Sequence, residues 1–81
     1  MSHQIRLFIK PHCPWCRDAA AWLTARGLAH ESLDVSRDNE SRAQMFALSG
    51  QSLAPVIEVD GQVLADFDLG QLETWWKENQ F

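Results

Sequence analysis

The chain has 81 residues, 46% of them hydrophobic and 22% charged, with a formal net charge of −4 at pH 7. That length suits one domain, expected over residues 1–81, and is too short for a second; the composition excludes a disordered or fibrous chain, and the acidic balance argues against nucleic acid as a partner. No stretch approaches the roughly 18 apolar residues of a membrane span, and the first residues lack the apolar segment of a secretory signal, so the expectation is a cytoplasmic protein with no membrane partner.

Residues 4–9, QIRLFI, are rich in β-branched and aromatic side chains and run into Lys10-Pro11, which predicts a buried strand stopped by proline. From 14 to about 26, PWCRDAAAWLTAR supplies good helix formers behind a proline suited to a first turn, with Gly27 to close the end. Cys16, Ala19, Ala20 and Leu23 then share one face, expected to be buried. Residues 29–35 alternate as a second strand with Leu33 and Val35 inward. Residues 38–49 form a second helix, with Met45, Phe46 and Leu48 supplying apolar contacts and Gly50 ending it.

After Pro55, VIEV and QVLA flank Asp60-Gly61, a strong hairpin signal because both central residues of that turn need positive φ. The closing stretch DLGQLETWWKENQF has the capping-box spacing at Asp68 and Gln71, and Leu69, Leu72, Trp75 and Trp76 for packing, with Trp22 joining them. The order β-α-β-α-β-β-α gives an α/β fold with a four-stranded mixed sheet packed by helices, its first β-α-β unit parallel and right-handed. Charge is unevenly divided: residues 1–54 hold six Lys/Arg against five Asp/Glu, residues 55–81 one against six.

Both cysteines fall in Cys13-Pro14-Trp15-Cys16. A bridge so local closes almost no loop entropy, so stability is not its purpose. With the helix starting at Pro14, Cys13 is the N-cap. The amides of Trp15 and Cys16 and the positive helix end then favour its thiolate, with a pKa of about 3.5–7.5, and Lys10 adds a cation. Cys13 is the expected nucleophile. Cys16, one turn on and inward, is the expected resolving thiol. No metal is expected, since there is no second cysteine pair and His3, His12 and His30 form no ligand spacing. Haem attachment would need histidine where Arg17 stands.

The chain resembles the glutaredoxin family, a compact branch of the thioredoxin fold, over essentially its whole length. The matching residues are Lys10, Cys13-Pro14-Trp15-Cys16, Gly50-Gln51 before Pro55, Asp60-Gly61 and Asp68. The resemblance implies a thioredoxin-like fold and a monomeric thiol-disulfide oxidoreductase that acts on disulfide-containing or glutathionylated proteins. It implies glutathione as co-substrate and no other cofactor. It also implies a cis Pro55 that turns the Ala54 backbone toward Cys13. Lys10 and Gln51 would meet the glycine carboxylate of glutathione, Ala54 its cysteinyl backbone, and Asp68 with the last helix's first amides its γ-glutamyl end. Trp15, beside the nucleophile, would serve as a platform for partner proteins.

The sequence departs from the family where Leu53-Ala54-Pro55 replaces Thr-Val-Pro, where Ala65-Asp66 replaces Gly-Gly, and where Leu69 replaces an acid. These changes leave room for a glutaredoxin-like electron donor reduced by a flavoprotein of the thioredoxin-reductase type. A dimer bridging an iron-sulfur cluster is a further alternative, against which Pro14 argues. APVIEVDG also resembles the first half of a glutathione transferase, an enzyme that needs a helical second domain.

Overall fold

Strand alternation and turn chemistry put seven elements in the expected order. They are β1 (Ile5–Ile9), α1 (Pro14–Ala25), β2 (Glu31–Asp34), α2 (Asn39–Ser49), β3 (Val56–Val59), β4 (Gln62–Ala65) and α3 (Leu69–Asn79). The computed structural model describes residues 3–81; Met1 and Ser2, inside the domain expected over 1–81, lie outside the described residues. The four strands run in the order β2-β1-β3-β4, with β1 parallel to β2 and every other pairing antiparallel. This is the expected mixed sheet. No helix among the described residues is long and apolar enough to cross a membrane.

The period of two along each strand divides the core into two layers. Ile5, Leu7, Ile57 and Val59 point to one face, where Ala19 and Leu23 of α1 and Leu72 and Trp76 of α3 cover them. Phe8 and Val56 point to the other and meet Val35 and Met45 of α2. Arg6 shares the α2 side of β1: its guanidinium reaches Glu58 on β3 at 2.6 Å and Gln44 on α2 at 2.9 Å. That bond set ties the helix to the sheet.

Phe46 departs from the reading above. Ser41 and Met45 are buried and Leu48 half-buried, so the inward stripe of α2 runs at helical spacing through 41, 45 and 48. Phe46 sits about 100° from Met45 and stands 59% exposed. Two smaller differences concern burial and length. Ala20 is only half-buried, and β2 is shorter than residues 29–35, with Val35 buried just past its end.

At the end of the sheet away from Cys13, the β3–β4 turn has Asp60 at φ 50° and Gly61 at φ 91°, both positive as a tight hairpin requires. The Asp60 carboxylate accepts the Gln4 N–H at 2.8 Å and pairs with His3 Nδ1 at 2.7 Å. These two bonds, the backbone one foremost, hold its carboxyl below the ordinary value of 3.8. The Ser36 hydroxyl does the same for Asp34.

Candidate functional site

The site begins where β1 hands the chain to α1. Pro11 and His12 turn the backbone, His12 in the left-handed region at φ 59°, and Cys13 follows in extended conformation as the N-cap of α1. Pro14 takes the first helical position, where its missing N–H costs no hydrogen bond. Of the two amides expected at the Cys13 sulfur, that of Cys16 donates to it, at 3.2 Å. The first turn of α1 carries no acidic side chain to offset the positive helix end.

Cys13 and Cys16 are joined as a disulfide with their Cα atoms 5.2 Å apart. The two sulfurs differ in access: Cys13 is half-buried at the surface, whereas Cys16 is 3% exposed and faces the core with Ala19. One thiol of the opened pair meets solvent first and the other lies beneath it.

A groove of about 380 Å3 opens beside the pair. Trp15 and Leu53 contribute apolar surface, Ala54 and Pro55 a backbone edge, and Asp66 and Asp68 two carboxylates. The Ala54–Pro55 peptide bond is cis. Asp66 sits in the left-handed region at φ 50°, and its N–H donates to the Pro55 carbonyl at 2.9 Å, which fastens the end of β4 to the proline. Asp68 N-caps α3 in a full capping box with Gln71, the two bonds measuring 2.8 and 2.9 Å. The capping spacing was readable in the sequence.

Lys10 and Gln51 lie outside the groove lining. Lys10 Nζ donates to the Ser52 carbonyl at 2.8 Å and retains donors for another acceptor. Gln51 folds onto its own loop: its amide oxygen accepts the Leu53 N–H, and its Nε2 donates to the Leu53 carbonyl at 3.1 Å. Trp15 is 56% exposed, so it does not cap the core. Trp22, Trp75 and Trp76 do pack, as expected.

Sequence reasoning treated Leu53 and Asp66 as departures from a pattern; it placed the Asp66 charge near the groove but did not see Leu53 as one of its walls. A large apolar residue in a loop between Gly50 and Pro55 was the available signal for Leu53, since no helix or strand period buries it. For Asp66 the signal was the replacement of Gly-Gly by Ala65-Asp66, and its carboxylate does line the groove.

A thioredoxin-like sheet with a cysteine pair bridged across the start of a helix defines a class, the thiol-disulfide oxidoreductases. Within that class the glutaredoxin family model matches residues 5–64, and the chain belongs to the glutaredoxin family. It is 30% identical over 69 residues to an uncharacterized glutaredoxin-like 8.6 kDa protein in the rubredoxin operon of Clostridium pasteurianum, covering 85% of this chain and 92% of that one. It is 28% identical over 64 residues to glutaredoxin 3 of Escherichia coli strain K12, covering 79% and 77%. The crystal structure of the thioredoxin-like protein BC3987 superimposes with a TM-score of 0.80 at 27% identity, covering 88% of this chain and 97% of that one.

Proposed function

We propose that this glutaredoxin-family protein is a glutathione-linked oxidoreductase that reduces protein disulfides and glutathione mixed disulfides through Cys13 and Cys16. The observation that carries the reading is the unequal pair: a surface sulfur that accepts an amide at a helix start, above a buried partner. The amide and the helix end favour the anionic sulfur, which is the attacking form.

In the dithiol route the Cys13 thiolate attacks one sulfur of a substrate disulfide and displaces the other as a thiolate. Cys16 then attacks Cys13, forms the bridge seen here and expels the substrate's second thiol, so two electrons leave the protein. Two glutathione molecules restore the dithiol and leave as glutathione disulfide. In the monothiol route Cys13 takes glutathione from a glutathionylated protein, and a second glutathione regenerates it. Sulfur exchange is all that either route requires. A freely exchanging dithiol suits the reducing cytoplasm.

For glutathione we place the cysteinyl backbone against Ala54 and Pro55, and the γ-glutamyl end at Asp68 and the first amides of α3. The glycine carboxylate goes toward Lys10, with Gln51 holding the loop between them. Asp66 supports a second reading. Its carboxylate adds negative charge where an anionic tripeptide would bind, which favours an electron donor reduced by a thioredoxin-reductase-type flavoprotein.

Two measurements test these readings. Cys13→Ser should abolish reduction of both substrate types, and Cys16→Ser should abolish only the reduction of protein disulfides; an active Cys13→Ser protein overturns the assignment. Turnover with glutathione and glutathione reductase, set against turnover with thioredoxin reductase, decides between the reductants.

A further inference from the structure

Among the described residues, three large apolar side chains stand mostly in solvent: Trp15 at 56% exposure, Leu53 at 56% and Phe46 at 59%. Singly, such residues are ordinary. Here all three border one loop. Trp15 and Leu53 line the groove beside Cys13, while Phe46 lines an adjoining hollow of about 470 Å3 together with Arg42 and Ser52, the chain neighbour of Leu53. Phe46 lies off the inward stripe of α2, which runs through Ser41, Met45 and Leu48.

Charge along this strip changes sign. At the Phe46 end lie Arg42 and, bonded to the Ser52 carbonyl, Lys10. At the Trp15 end lie Asp66 and Asp68. The uneven division of charge along the chain has become a polarity across the site. A bound tripeptide spans roughly 10 Å when extended, enough to fill the groove but not to cross the loop as well. Phe46 does not line that groove, so a tripeptide seated in it leaves this ring uncovered.

We propose that the surface from Phe46 over Leu53 to Trp15 is a docking strip for an extended segment of a disulfide-bearing partner protein. The segment carries apolar side chains on either side of its cysteine, an acidic residue for the Arg42 end and a basic residue for the Asp66 and Asp68 end. This rests on disulfide exchange at Cys13 and adds to it a means of choosing among protein substrates. A second copy of this chain, laid antiparallel, would also match the charges, but it would cover Cys13 in both copies and silence the exchange.

The test uses reduced protein and two chromogenic mixed disulfides with thionitrobenzoate. One carries Ala-Cys-Ala; the other carries a peptide of about nine residues with leucines beside the cysteine and Glu and Lys at opposite ends, made in both orders. Cys13 attacks and releases thionitrobenzoate, Cys16 then releases the peptide thiol, and the dithiol gives up two electrons without glutathione. The better nine-residue substrate should react about fivefold faster than the tripeptide, the scale of one good interface contact. Phe46→Ser should remove that advantage, leave the tripeptide rate within about twofold and leave Tm unchanged.

Equal rates for the two wild-type substrates, or an equal effect of Phe46→Ser on both, overturns the strip. So does a sedimentation dimer that Phe46→Ser dissolves, since the surface would then belong to a second copy. A reduced protein that reacts with neither compound brings down the exchange reading itself.

Discussion

The molecule uses aromatic and large apolar side chains in opposite ways at its two ends. Around the end of α3, Trp76 meets Trp22 edge to face at 5.3 Å between ring centroids and Phe81 at 5.0 Å, with Trp75 and His3 filling the same cluster. The guanidinium of Arg26 lies over the Trp22 ring at 4.2 Å and closes that side. Around the start of α1, Trp15, Leu53 and Phe46 pack against little and face solvent. The same residue types therefore stabilise one pole and remain available for contact at the other. Neighbours decide which role a side chain plays.

Substitutions at each pole should separate the two roles. The largest effect is expected for Trp76→Ala, which empties a buried site and breaks several edge-to-face pairs; it should cost about 3–5 kcal/mol and lower Tm by more than about 10 °C. Exchange by the fraction that stays folded should be little changed. Trp15→Ala should do the reverse, with stability within about 0.5 kcal/mol of the parent and exchange with peptide disulfides slower by about three- to tenfold. A Trp15→Ala protein that melts like Trp76→Ala would erase the contrast.

Asp68→Ala joins the two poles, because it removes the cap of the helix whose far end carries the aromatic cluster. A loss of about 1 kcal/mol is expected by denaturant unfolding, with m unchanged. The smallest effect belongs to Asp60 at the stable pole. Its folded-state pKa lies below the unfolded value of 3.8, so its contribution is present above 3.8 and fades as the pH falls through the lower folded value. Asp60→Asn should therefore lower stability slightly at pH 7, lower it less as the pH falls below 3.8, and so flatten the acid limb of stability against pH.

The two poles also differ in how well the sequence announced them. Helix period, capping spacing and the Asp-Gly turn located the elements, the inward stripe of α1 and the packing of α3, because each is a local rule. The placement of Cys13 as N-cap was equally local. The groove followed from no local rule: Ala54, Pro55 and Asp68 were named through the resemblance, whereas Leu53 joins them through the pairing of β3 and β4 and a loop whose polar groups bond to one another. Phe46 was misread for a simpler reason. The sequence reading counted apolar residues in a helix without placing them on its circumference, and Met45 and Phe46 cannot share one narrow face.

Lys10 follows the last residue of the inner strand β1 and holds the Ser52 carbonyl, while the same strand leads through Lys10, Pro11 and His12 into Cys13. The loop side and the cysteine side of the opening are thus both tied to one strand. A partner must bring its sulfur to an opening whose two sides share that anchor. Disulfides recessed in a folded substrate must come out by the substrate's own local opening, so reduction of such proteins should keep pace with their breathing.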